Sequence, residues 1–126
     1  MKIELDPRLD DLTQRIIGAA FEVSSTLGHG FLESVYHKAL HHELEERGLA
    51  VQAEIPLEVQ YKGRPVGTYQ ADLLVENTVI VELKAIDAIA QPHIGQVLNY
   101  LRATGLRVGL LLNFGTPRLQ FRRVLL

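Results

Sequence analysis

Val79-Ile80-Val81-Glu82-Leu83-Lys84 is the stretch on which the fold turns. It is apolar on both faces for most of its length, the pattern of a strand in the middle of a sheet. Alternation puts Ile80, Glu82 and Lys84 on one face and Val79, Val81 and Leu83 on the other. The run therefore ends on two charges that share a face. A solvent-facing ion pair at a strand end is the plain reading, and such pairs contribute little. Charges on a central strand more often serve chemistry.

The neighbouring segments make that strand central. Upstream, Ile55, Leu57, Val59 and Tyr61 alternate with polar residues as in a half-buried strand. Lys62-Gly63 suits a turn, and Val66 to Val75 returns antiparallel. Glu76-Asn77 marks the next turn. Downstream, Pro92 fits the first turn of a helix that reaches about Ala103 and stops at Gly105. Val108 to Leu112 is a second doubly covered strand. Leu119, Phe121 and Val124 supply the last one. A helix between the third and fourth strands implies a right-handed crossover and a parallel pair.

Two helices precede the sheet. Asp10 or Asp11 is expected to cap the first, whose stripe is Leu12, Ile16, Ala19, Ala20, Val23 and Leu27. Gly28-His29-Gly30 breaks it. The second is predicted from about Leu32 to Arg47, with Gly48 beyond its end and a stripe of Leu32, Val35, Tyr36, Ala39, Leu40 and Leu44. The expected order is ααβββαββ, an α/β fold with a mixed sheet flanked by helices. Phe21, Phe31, Phe114 and Phe121 are expected to be core or packing residues.

The chain has 126 residues, enough for one domain over 1–126, and it is 47% hydrophobic and 22% charged. It contains no cysteine, which excludes disulfides, a thiol nucleophile and thiolate metal sites. No apolar stretch approaches the ~20 residues of a membrane span. The polar start MKIELDPRLDD lacks a secretory pattern, so a cytoplasmic location is expected. Residues 1–60 carry eleven acids and five bases, and residues 61–126 carry four acids and eight bases. A basic half suits a phosphate-binding face; acidic solvent faces on the helices would give the same asymmetry.

Asp72 lies in the strand before Glu82. A two-residue turn at Glu76-Asn77 would pair it with Val81, on the wrong face. A three-residue connection through Thr78, or a bulge, would set it against Glu82. Glu33 falls inside the apolar stripe of the second helix, where a carboxylate is costly unless paired. Its position in the first turn offers an alternative, since negative charge is favoured there. His93, Gln96 and Tyr100 form a polar flank on the third helix.

Facing carboxylates repel one another and call for a cation. Oxygen ligands suit Mg²⁺ or Mn²⁺, and Mg²⁺ commonly uses one or two carboxylates with water and substrate phosphate. Asp72 and Glu82 would bind the metal, with Glu33 completing its surroundings directly or through water. Lys84 would handle the nucleophile and the developing charge. Gln96 and Tyr100 would orient Lys84, the water or the phosphate. A separate possibility is zinc at His37 and His41, four apart on a helix and next to His42.

Asp72 followed by nine residues and Glu82-Leu83-Lys84 resembles the PD-(D/E)XK nuclease superfamily. Gln96 and Tyr100 on the next helix resemble a further motif of its RecB-like branch. Gly30-x-x-Glu33-x-x-Tyr36 is similar to the signature of the GxxExxY family within that superfamily. Ala71 stands where the pattern often has Pro. The resemblance implies a restriction-endonuclease-like core, a metal-dependent nuclease, and Glu33 joining the active site. Nucleic acid would be the substrate, DNA ahead of RNA. So small a chain would need a protein partner, a homodimer or a structured substrate for specificity. A non-catalytic binding or accessory module on the same fold is the alternative.

Overall fold

A computed structural model of the protein describes residues 5–126. Its elements run α1 (Pro7–Leu27), α2 (Glu33–Glu46), β1 (Val51–Tyr61), β2 (Arg64–Val75), β3 (Val79–Lys84), α3 (Gln91–Thr104), β4 (Val108–Asn113) and β5 (Gln120–Leu125). The five strands form one sheet in the order β1-β2-β3-β4-β5. β3 and β4 are parallel and joined by α3; the other neighbours are antiparallel. The α/β order is the expected ααβββαββ.

Alternation along β3 sorts the core into two layers. Val79, Val81 and Leu83 pack with Ile16, Ala20, Tyr36 and Leu40 of α1 and α2. Ile80 packs with Val97, Tyr100 and Leu101 of α3. The sheet is thus covered on both faces, which is why β3 and β4 are apolar on both faces until their C-terminal ends, at Glu82, Lys84 and Asn113. Every residue of β4 is buried.

Several local expectations are corrected. Asp6, rather than Asp10 or Asp11, caps α1, its carboxylate accepting from Arg8 N–H at 2.8 Å. Pro7 at the first helical position sets this earlier start. Leu32 and Val35 continue the stripe of α2 but are exposed and lie outside both core clusters. Phe31 and Phe121 are exposed and so outside the core, but both pack as expected, edge-on against Tyr36 and Phe21. Glu33 opens α2 on exposed surface rather than within a buried face. Among the described residues, no helix is long and apolar enough to cross a membrane.

The β1–β2 hairpin is much longer than β3. β2 ladders with β3 only from Leu73 to Val75. Its outer part is therefore an arm whose strand pairing, among the described residues, is with β1 alone. The arm also changes face. Val51 packs against the α1–α2 layer, whereas Ile55 and Leu57 pack on the α3 side. Glu54 lies between them with φ 55°, a left-handed conformation that reverses the alternation. Lys62 and Gly63, both at positive φ, close the hairpin in a two-residue turn.

The segment after β3 is pinned closely. Buried Asn113 accepts from Ile86 N–H and Gly115 N–H, and its amide donates to Ile86 O and Gln120 Oε1. A Cβ on Gly115 would run into the main chain of Ala85 and Ile86. Gly115→Ala should cost about 2–4 kcal/mol, since main chain yields less readily than a side chain. A urea melt checks this; a loss under about 0.5 kcal/mol would mean that the segment moves freely.

Candidate active site

The connection from β2 to β3 consists of Glu76, Asn77 and Thr78. Glu76 and Asn77 are both left-handed, at φ 53°, and Thr78 Oγ1 donates to Glu76 O. With three residues in the loop, Leu73 faces Val81, and the next position sets Asp72 against Glu82. The ladder ends there. Asp72 N–H donates to Glu82 Oε1 at 3.1 Å, and Leu83 N–H donates to Asp72 Oδ2 at 2.8 Å. Each carboxylate thus satisfies a main-chain donor of the opposing strand, and both are fixed where the strands part.

Glu82 is 5% exposed, yet carries an ionisable carboxyl group. Burial and then the charge of Asp72 push its carboxyl up to about 8. Lys84 Nζ lies 4.0 Å from Glu82 Oε2 and opposes that rise. The main chain of Lys84 is fixed by Phe114 N–H, which donates to its carbonyl at 2.8 Å.

The α2 side is positioned by Tyr36. Its hydroxyl donates to Gly28 O at 2.6 Å and accepts from Phe31 N–H, and its ring stacks on Phe114. Between those anchors the chain turns through Gly30 at φ 111°, a conformation open to glycine, and delivers Glu33. Partial burial and the charge of Asp72 raise the Glu33 carboxyl, while Lys84 and His37 lower it. One turn on, His37 Nε2 lies 3.1 Å from the Asp72 main-chain oxygen. A carbonyl only accepts, so Nε2 is the donor. Sequence reasoning had considered His37 only as a zinc ligand; its spacing of four from Glu33 was the signal of a shared face.

From the α3 side, Gln96 donates to the Tyr100 hydroxyl at 2.9 Å. Burial and then the charge of Glu82 raise the Tyr100 phenol. The structure therefore brings Asp72, Glu82 and Lys84 together, with Glu33 and Gln96–Tyr100 on opposite flanks. His41 and His42 instead pair with Glu45 and Glu46 on the outside of α2. Among the described residues, no three His, Cys, Asp or Glu side chains converge as a metal site. The donors present are a carboxylate pair, which fits a hard cation completed by water and phosphate oxygens.

Comparison with known proteins agrees with this architecture. The model of the PD-(D/E)XK nuclease superfamily matches residues 10–124. The chain belongs to that superfamily. No curated protein matches its sequence detectably. A crystal structure of a protein called SSO0001 is similar in fold, with TM-score 0.59 and 18% identity over 73% of this chain. The chain spans about half of that protein, 48%. An alkaline exonuclease from Laribacter hongkongensis, LHK-Exo, is similar with TM-score 0.49 and 13% identity, covering 84% of this chain and 75% of that one.

Proposed function

We propose that the chain is a divalent-metal-dependent nuclease that hydrolyses phosphodiester bonds, in DNA ahead of RNA, with Mg²⁺ or Mn²⁺. The observation that carries this reading is the carboxylate pair: Asp72 and Glu82 stand together where β2 and β3 part, with Lys84 4.0 Å from Glu82. Two such groups in a partly buried site favour a cation over their own ionised coexistence. Gly30, Glu33 and Tyr36 support placement in the GxxExxY group, and Gln96 and Tyr100 support the RecB-like branch.

Asp72 and Glu82 would hold the ion. When bound, it polarises a phosphoryl oxygen and acidifies water. Lys84 offsets negative charge that grows on the phosphorus centre and holds the attacking water by its ammonium. Glu33, whose carboxyl is already raised, accepts a hydrogen bond from water on the α2 side. The Gln96–Tyr100 pair donates toward phosphate oxygens on the α3 side.

The direct test incubates the protein with single-stranded, double-stranded and branched DNA and with RNA, in Mg²⁺, Mn²⁺ or EDTA, beside a Glu82→Ala/Lys84→Ala control. Metal-dependent cutting that the control lacks supports the proposal. A folded protein that cuts nothing points to a non-catalytic module. Glu33→Gln should weaken ion binding severalfold by calorimetry, and an unchanged titration would return Glu33 to a helix-end role.

A further inference from the structure

We propose that the groove between the β1–β2 arm and α3 receives a single strand of nucleic acid, with bases stacking on Tyr69 beside Tyr100. The proposal deepens the nuclease reading and rests on it for what happens at the end of the groove.

The groove has a volume of about 1010 Å³. That is the upper end of small-ligand pockets, with room for a short run of unpaired nucleotides and too little for a duplex. One wall is the arm, from Leu57 to Gln60 with Tyr69; the other is α3. Leu57 is buried in the α3 layer and forms an apolar floor. Tyr69 is 56% exposed, and its ring lies 6.1 Å from that of Tyr100. An aromatic face open to water beside an apolar floor is the platform that unpaired bases occupy, whatever their sequence.

The polar lining suits the rest of a nucleotide. Gln60, Gln96 and Asn99 present amides that both donate and accept. His93 and Arg102 line the α3 wall; Lys62 and Arg64 lie at the tip of the arm, outside that lining. From Tyr61 to Ala71 the arm carries no acid. Glu58 is the acid of the lining, and its carboxylate accepts from the Gln60 amide. Gln96 and Tyr100, the bonded pair on the α3 flank of the site, also line the groove.

Fluorescence anisotropy with short labelled oligonucleotides in EDTA tests the groove without cleavage. Single strands should bind more tightly than a blunt duplex of equal length, with DNA and RNA arms separating the two sources. Tyr69→Ala should weaken single-strand binding about tenfold, and Tyr69→Trp should restore it. Arg102→Glu, on the exposed side of α3, should weaken it too and reduce its salt dependence. Equal or tighter duplex binding, or indifference to all three substitutions, would overturn the proposal. The same preparations are then assayed with Mg²⁺. Binding that depends on Tyr69 without cutting keeps the groove and removes the nuclease reading. Cutting with Tyr69 indifferent does the opposite.

Discussion

Lys84→Ala is expected to slow cleavage at least about 100-fold while the protein remains folded. The ammonium is the cation beside the carboxylate pair, 4.0 Å from Glu82 Oε2, with a side chain 19% exposed. Its removal leaves charge on the phosphorus centre without a partner from the chain. It also removes an influence that lowers the Glu82 carboxyl, which would then rise further and hold a cation less well. The main chain at this position keeps its bonds, since Phe114 N–H still meets the carbonyl and β4 still pairs alongside. Single-turnover cleavage and a thermal melt on one preparation separate the outcomes. A collapsed melt would make Lys84 a structural residue, and an unchanged rate would remove it from the chemistry. Lys84→Arg should recover little, because a planar fork does not replace a compact point charge.

Metal affinity should climb about tenfold per pH unit below pH 8 and level off above it. Glu82 binds the ion as a carboxylate, and its carboxyl sits at about 8 when no cation is present. Each ion bound below that pH must therefore displace one proton. The stability of the metal-free protein follows from the same shift. The folded state holds the proton more tightly than the unfolded chain, so the stabilisation is complete below the ordinary 4.5. It is lost as the pH rises to about 8. In chelator the melting temperature should fall across that window, and added Mg²⁺ should offset more of the loss at higher pH. Glu82→Gln should abolish both trends. Calorimetry at several pH values, in buffers of different ionisation enthalpy, would count the proton. An affinity flat from mildly acidic pH to 8 would show that Glu82 does not hold the ion.

The order of elements was legible because β3 and β4 are apolar on both faces and α3 has a clear start and stop at Pro92 and Gly105. Facing of Asp72 and Glu82 was legible only as a condition. Two or three residues could close the loop, and the three-residue form depends partly on a distant contact: the Glu76 carboxylate accepts from Ala50 N–H at 2.8 Å. The exposed Leu32 and Val35 misled for a related reason. Periodicity reports which residues share a helix face, not how far the opposing surface extends. For Glu33 the sequence left a buried stripe and a helix end both open; it lies on exposed surface, with Asp72 and Lys84 as charged neighbours. Nothing local announced the reversal at Glu54, a non-glycine residue at φ 55°. The groove was missed because its two walls belong to segments more than twenty residues apart, and only the arm's curl over α3 joins them.

That arm also bears on colloidal behaviour. Beyond its short ladder with β3, both of its flanks lack a strand partner among the described residues, an invitation to strand addition by another molecule. The sequence blunts the invitation. Pro56 and Pro65 each delete a main-chain donor, and Lys62 and Arg64 place like charges at the tip, where two arms meeting end to end would repel. Resistance to aggregation is thus built into the same segment that stands clear of the sheet.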